Sequence, residues 1–250
     1  MLKVYIENIS VSVDGIFREL LSEISFSIPN NSAYTILGKN GSGKSTLIKS
    51  LTGLLDKRFY KIKGTVEWNN VNLLTIELKE LINIRKKELR FVLQDSLNSL
   101  DPLKKVKYYF DNTDYNKDEL ARLLTEFQLP DYNSISEKHS YELSGGMLQR
   151  LNFVLALAAE PQLIILDEPT SAIDSVNSLL SLKAIKKFVG KKNRSVLIVT
   201  QDILFAQKAS DKIALLTDGT LTEFVETDHF FNSDDPRFSS LLSSYKALNE

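Results

Sequence analysis

Apolar and polar residues alternate from Lys3 to Val13 and again from Ile24 to Ile28, as they do in strands with one buried face. Tyr34-Thr35-Ile36-Leu37 is a short strand-like run that leads into a glycine-rich loop. Lys44 to Leu54 then reads as a helix closed by Gly53 near its end, and Gly64 to Trp68 and Phe91-Val92-Leu93 read as further strands. From Asp95 to about Glu160 the pattern turns helical, most clearly over Lys117 to Phe127 and Gly146 to Ala159. Strands and helices alternate after that, through Leu163 to Leu166, Val176 to Val189, Ser195 to Thr200, Ile203 to Ala209 and Lys212 to Leu216. This order predicts an α/β fold whose largely parallel sheet is flanked by helices. The helical stretch interrupts that sheet. One domain over 1–250 is therefore expected, with a core of 1–94 and 161–250 and a helical subdomain of 95–160. No internal repeat is visible.

The loop after the third strand reads Gly38-Lys39-Asn40-Gly41-Ser42-Gly43-Lys44-Ser45-Thr46 and fits G-x-x-x-x-G-K-[ST] at every specified position. Glycines allow positive φ, so successive backbone N–H groups can face phosphates from a helix N-terminus. Lys44 would then reach the β- and γ-phosphates, and the Ser45 hydroxyl would bind Mg²⁺. Leu163 to Leu166 runs into Asp167-Glu168. Such an acidic pair can cap the following helix. Downstream of a phosphate loop it reads instead as Asp167 holding Mg²⁺ through water and Glu168 polarising the attacking water as general base.

Charge and composition narrow the partners. The chain has 250 residues with 31 basic and 32 acidic side chains, a net charge of −1, so no strong global field favours nucleic acid or an anionic membrane. It contains no cysteine, which excludes disulfides, thiolate metal sites and iron–sulfur clusters and fits a cytoplasmic home. Its two histidines, His139 and His229, are too few for a histidine-rich metal site. The start alternates like a strand and lacks the layout of a signal peptide. No apolar run approaches the roughly 20 residues that span a bilayer. Work at a membrane would need another chain to hold this one there.

Between the loop and the acidic strand lies Leu143-Ser144-Gly145-Gly146-Met147. The three elements in this order resemble, from end to end, ATPases of the ABC (ATP-binding cassette) type. The resemblance implies a mostly parallel P-loop core with helices on both faces, N-terminal antiparallel strands and an inserted helical subdomain. It implies ATP and Mg²⁺ as cofactors, with Gly38, Lys39, Asn40, Gly41, Ser42, Gly43, Lys44, Ser45 and Thr46 around the phosphates. Ser144, Gly145 and Gly146 would close over the γ-phosphate bound to the opposite subunit of a head-to-tail dimer. Gln94 is similar to the glutamine that senses Mg²⁺ and links to the membrane partner, so the metal set is Ser45, Gln94 and Asp167. Ser171-Ala172-Ile173-Asp174 resembles the loop that crosses the dimer interface.

Two positions depart from that family. Gln201 stands where a histidine is usual; glutamine can donate a hydrogen bond to the γ-phosphate but carries no charge, and a charge-assisted bond is about twice as strong. Gln201 thus joins Glu168 and Gln94 as a candidate catalytic residue with weakened action. Near Val13 an aromatic usually stacks on adenine, which leaves Tyr5 and Phe17 as candidates.

Asp95-Ser96-Leu97-Asn98-Ser99-Leu100-Asp101-Pro102, the methionine of the Leu143–Met147 segment with Gln149-Arg150, and Asp235-Pro236-Arg237-Phe238-Ser239-Ser240-Leu241-Leu242 are similar to stretches of peptide/nickel importer ATPases. That resemblance implies an ATP-hydrolysing subunit on the cytoplasmic face of the cell membrane. It would work with two transmembrane permease subunits, a second ATPase subunit (a heterodimer, or a homodimer) and, indirectly, an extracellular solute-binding protein, to take up a metal–metallophore complex, nickel or a small peptide. A soluble ABC ATPase without transport, and a nucleotide-binding regulatory subunit with little hydrolysis, are the competing readings.

Overall fold

The computed structural model describes residues 1–93, 99–170, 175–238 and 241–242, and the side chains of all of these except 175–177. Gln94 and Ser171 to Asp174 therefore lie outside the described residues.

The first half of the chain runs β1 (Leu2–Val13), β2 (Ile16–Ile28), β3 (Ala33–Leu37), α1 (Lys44–Leu51), β4 (Tyr60–Trp68), β5 (Val71–Asn72), α2 (Leu78–Lys87) and β6 (Leu89–Val92). Helices α3 (Val106–Asp111), α4 (Lys117–Glu126) and α5 (Tyr132–Ser136) follow, then a short 3-10 turn (Ser140–Glu142) and α6 (Gly145–Ala158). The remainder is β7 (Leu163–Asp167), α7 (Ser175–Val189), β8 (Ser195–Thr200), α8 (Ile203–Ala209), β9 (Lys212–Thr217), β10 (Thr220–Leu221), β11 (Val225–Glu226) and α9 (Thr227–Phe231).

Two sheets form. An antiparallel one has the order β2-β1-β4-β5; the other has the order β10-β9-β3-β8-β7-β6, with β3, β6, β7, β8 and β9 mutually parallel. Parallel strands covered on both faces need apolar residues at every position, not at alternate ones. That is why β7 reads Leu-Ile-Ile-Leu: Ile164 and Leu166 enter one core with α6 and α7, while Leu163 and Ile165 enter the other with α1, α2 and the antiparallel sheet. On β8, Val196 and Ile198 divide from Leu197 and Val199 in the same way. The helices between β6 and β7 join the first of these cores through Phe110, Leu120, Leu123, Phe127 and Leu151. Asn116 starts α4 by accepting from the N–H groups of Asp118 and Glu119, as an N-cap does.

Strand β2 begins eight residues before the alternating stretch, at Ile16 and not Ile24, because Ile16 to Leu20 are exposed and carry no buried face to pattern them. The β1–β2 turn is Asp14-Gly15, with φ of 53° and 78°; two positive φ values in a two-residue loop are what Asp-Gly sequences favour. Among the described residues no helix is long and apolar enough to cross a membrane.

Candidate functional site

In open sheets of this kind ligands gather beyond the carboxyl ends of the parallel strands. Register brings three such ends into line: Leu37 of β3 pairs with Thr200 of β8, and Val199 of β8 with Asp167 of β7. The phosphate-type loop, Asp167-Glu168 and Gln201 thus emerge side by side from neighbouring strands. The Gly38 N–H donates to Thr200 O at 3.3 Å and ties the loop to β8.

The loop opens a cleft of about 840 Å³, lined by Lys39 to Thr46, Glu168 and a rim considered below. Gly43 has a φ of 99°, and a Cβ there would come within 2.6 Å of Leu21, so only glycine suits the position. No side chain caps α1 at Gly43, and no acidic residue lies in its first turn. In contrast, α4, α6 and α8 are capped by Asn116, Ser144 and Asp202. An uncapped helix N-terminus keeps its N–H groups for an anion. The Ser42 Oγ is also buried with no partner among the described residues.

Lys44 is buried and folded back on the loop. Its Nζ donates to the carbonyls of Gly38 (2.8 Å) and Lys39 (3.0 Å) and lies 3.3 Å from Glu168 Oε1. Glu168 has a φ of 47°, an uncommon conformation outside glycine that costs about 1 kcal/mol. Its own N–H donates to Val199 O, and its Oε2 accepts from the Thr200 hydroxyl (2.9 Å) and the Gln201 N–H (3.1 Å). Thr200, which the sequence did not single out, thereby orients the carboxylate; Gln201 does so through its backbone while its side chain is exposed.

Asp167 is buried beside Glu168, and its Oδ1 has no partner among the described residues. Burial first, then the neighbouring Glu168 charge, push its carboxyl up to about 6, against Lys44, a hydrogen bond from Ser45, and Lys49. Native protein therefore holds this proton in a range where the unfolded chain has lost it. Stability from this group is lost as pH rises from the ordinary carboxylate range through about 6, and the penalty is complete above that. Asp167→Asn should raise the thermal midpoint by about 4 °C near pH 8 and leave it almost unchanged near pH 4. Equal gains at both pH values would contradict this origin. A divalent cation would relieve the same penalty. Among the described residues no third carboxylate or histidine joins the acidic pair, so an ion here would need phosphate oxygens and water to complete its shell, as Mg²⁺ commonly does.

Two sets of candidates lie elsewhere. Ser144 and Gly145 are exposed, Gly146 is partly so, and none lines the cleft; Ser144 Oγ accepts from the Met147 N–H at 3.3 Å and caps α6. Neither Tyr5 nor Phe17 lines the cleft either. Tyr5 projects from β1 at 57% exposure, and the Phe17 ring carries Lys61 Nζ at 3.8 Å over its face. The rim is instead Leu20, the run from Leu215 through the Asp218-Gly219 turn, Arg237 and Leu241. Asp-Gly between two strand-like runs was the available signal for that turn; Arg237 and Leu241 sit in the segment read above only as a mark of kinship.

A sequence profile of the ABC transporter family matches residues 21–171. The chain is 34% identical over 236 residues to the dipeptide transport ATP-binding protein DppD of Caldanaerobacter subterraneus, covering 90% of this chain and 72% of that one. It is 29% identical over 243 residues to the metal-staphylopine import system ATP-binding protein CntD of Staphylococcus aureus, covering 93% of this chain and 89% of that one. Its fold matches a dimeric ATP-binding cassette in a post-hydrolysis state bound to ADP and Pi, with a TM-score of 0.77 and 24% identity, over 91% of this chain and 99% of the other.

Proposed function

Since the chain belongs to the ABC transporter family, we propose that its cleft binds ATP and that hydrolysis in a pair of such subunits drives import through separate membrane proteins. The chain is an ATPase subunit of the peptide and metal importer branch. One observation carries the reading of the site. A phosphate cleft and an exposed Ser144-Gly145-Gly146 helix start coexist on one chain, and the second does not line the first.

Residues Gly38 to Thr46 hold the phosphates, with Lys44 leaving Glu168 for the β- and γ-phosphates. That move removes the cation from Glu168 Oε1, while Thr200 and Gln201 still hold Oε2. The carboxylate is then a base oriented by Thr200 and Gln201 toward the attacking water. Ser45 and Asp167 hold Mg²⁺, a role supported by the unpartnered Asp167 Oδ1; Gln94 completes that set from outside the described residues. Bound Mg²⁺ supplies positive charge to the phosphate oxygens.

The segment 95–160 is the helical subdomain that passes the ATP cycle to two permease subunits at the cytoplasmic face of the membrane, with a solute-binding protein acting from the far side and no nucleic acid involved. The cargo is a metal–chelator complex, nickel or a small peptide. The ATPase pair is an asymmetric heterodimer. Gln201 brings no charge to the γ-phosphate, so this chain's own cleft turns over slowly, while Ser144 to Gly146 complete a competent cleft on the second subunit.

Turnover of the pair reconstituted with its permease tests this. Gln201→His should raise the rate by about two-fold, and Glu168→Gln in this chain should lower it by less than about two-fold, because the charge-assisted bond is missing to begin with. The corresponding carboxylate change in the second subunit should abolish turnover. Equal losses from the two carboxylate changes would refute the asymmetry, and turnover indifferent to the permease would refute the transport role.

A further inference from the structure

The cleft needs a place for the base, and the aromatic side chains near the start of the chain are not there. What lines it besides the loop and Glu168 comes from three distant pieces of sequence: Leu20 of β2, the run from Leu215 to Gly219 that ends β9 and turns, and Arg237 with Leu241 near the end of the described residues. Their placement is built and not incidental. Gly219 has a φ of 78°, and a Cβ on it would come within 2.7 Å of the Leu20 carbonyl, so the turn is seated directly on β2 beside Leu20.

The C-terminal piece is helical at 236–238 and 241–242. Four of its side chains divide into two pairs. Phe238 and Leu242 are buried with Leu37, Ile213 and Leu215, and the Phe238 ring lies 4.5 Å from that of Phe230. Arg237 and Leu241 line the cleft, Leu241 also packing on the edge of that cluster. The Arg237 guanidinium is oriented by Asp235, whose carboxylate takes Nε at 3.0 Å and Nη2 at 2.6 Å. The Phe238 ring lies 5.8 Å from Cζ on one side of the guanidinium, so recognition of a ligand is left to Nη1 and to the face turned away from that ring. A guanidinium plane stacks on aromatic rings, and Leu20 and Leu241 supply the apolar contact that a purine also needs.

Resting on the reading of the cleft as an ATP site, we propose that Arg237 and Leu241, with Leu20, form the base-binding end of that site in place of a stacking aromatic. Arg237 is thus a binding residue that senses the base and not the phosphates.

The test separates base from phosphates by using two ligands, ATP and inorganic tripolyphosphate, titrated into the full chain by calorimetry. Arg237→Ala should weaken ATP by about ten-fold and tripolyphosphate by less than about two-fold. Arg237→Lys should fall between, since it keeps the charge and loses the plane. Leu241→Ala should weaken ATP alone by about three-fold. Tyr5→Ala and Phe17→Ala should bind ATP like the unaltered chain. Arg237, Tyr5 and Phe17 are exposed, so thermal midpoints of their variants should stay close to that of the unaltered chain; Leu241 packs on the edge of the Phe238–Leu242 cluster, so Leu241→Ala is titrated well below its own midpoint. Unchanged ATP affinity in both Arg237→Ala and Leu241→Ala would overturn the proposal. So would an equal loss of tripolyphosphate in Arg237→Ala, which would make the arginine a phosphate contact, or a large loss in Phe17→Ala. Lys44→Ala keeps the two levels apart. If it fails to weaken either ligand, the reading of the cleft has failed; if it weakens both while the Arg237 and Leu241 variants do not respond, only the base site has.

Discussion

Lys44→Ala is expected to weaken ATP binding by about a hundred-fold, the worth of a charge-assisted contact to a buried phosphate. The same change should also destabilise the protein before any nucleotide is added. In the ligand-free protein the ammonium neutralises a buried acidic pair: it lies 3.3 Å from Glu168, and its charge opposes the upward push on Asp167. Its other bonds, to the Gly38 and Lys39 carbonyls, hold the loop closed on itself. Removing one member of a buried ion pair costs about 3–5 kcal/mol when the other stays charged. Here Asp167 can escape part of that cost by keeping its proton. Without the opposing Lys44 charge Asp167 holds that proton to higher pH than before, so the loss should grow as pH rises. The variant should melt below the unaltered chain at both pH 5 and pH 8, and the gap should be wider near pH 8, by about 3 °C or more. An ATP affinity within about three-fold of the unaltered chain would show that the lysine does not reach the phosphates.

How far this site could be read in advance follows from where its parts sit. The loop, the acidic pair and Gln201 are each attached to a short apolar run, and each run became a fully buried parallel strand: β3, β7 and β8. Their residues are consecutive in sequence, so motif and element arrive together. That β8 lies between β3 and β7, and so puts Thr200 beneath Glu168, depends on strand order, which no local pattern encodes. The rim was harder still. Leu20 lies in the part of β2 with no buried face, and Arg237 and Leu241 are brought to the cleft only because Phe238 and Leu242 find a pocket beside β3 and β9. Helix boundaries were legible to within a few residues where a cap or an apolar stripe marks them, as in α4 and α6. Helix α2, with just Leu81 and Ile84 buried, gave too narrow a stripe to read.

Gly145→Asp should reduce turnover of the assembled ATPase pair by at least about a hundred-fold, while this chain alone still folds and binds ATP as before. The structure separates these outcomes. A Cβ at Gly145 meets nothing within 4 Å, and the residue is exposed, so no clash opposes the change in the isolated chain. A carboxylate in the first turn of α6 is favourable to that helix, by about 0.3–1 kcal/mol. Position 145 does not line this chain's own cleft, so ATP affinity measured on the chain alone should stay within about two-fold. A large loss of turnover against unchanged folding and unchanged binding would place its source at the subunit interface, where on the proposed reading the second subunit's γ-phosphate approaches. Gly145→Asn, of nearly equal size and no charge, divides the effect. If it loses much less than aspartate, the helix N-terminus acts mainly through its field; if it loses as much, the phosphate must pack directly against the backbone. Turnover that survives Gly145→Asp would mean that Ser144 to Gly146 meet no phosphate at all, and the exposed helix start would need another partner.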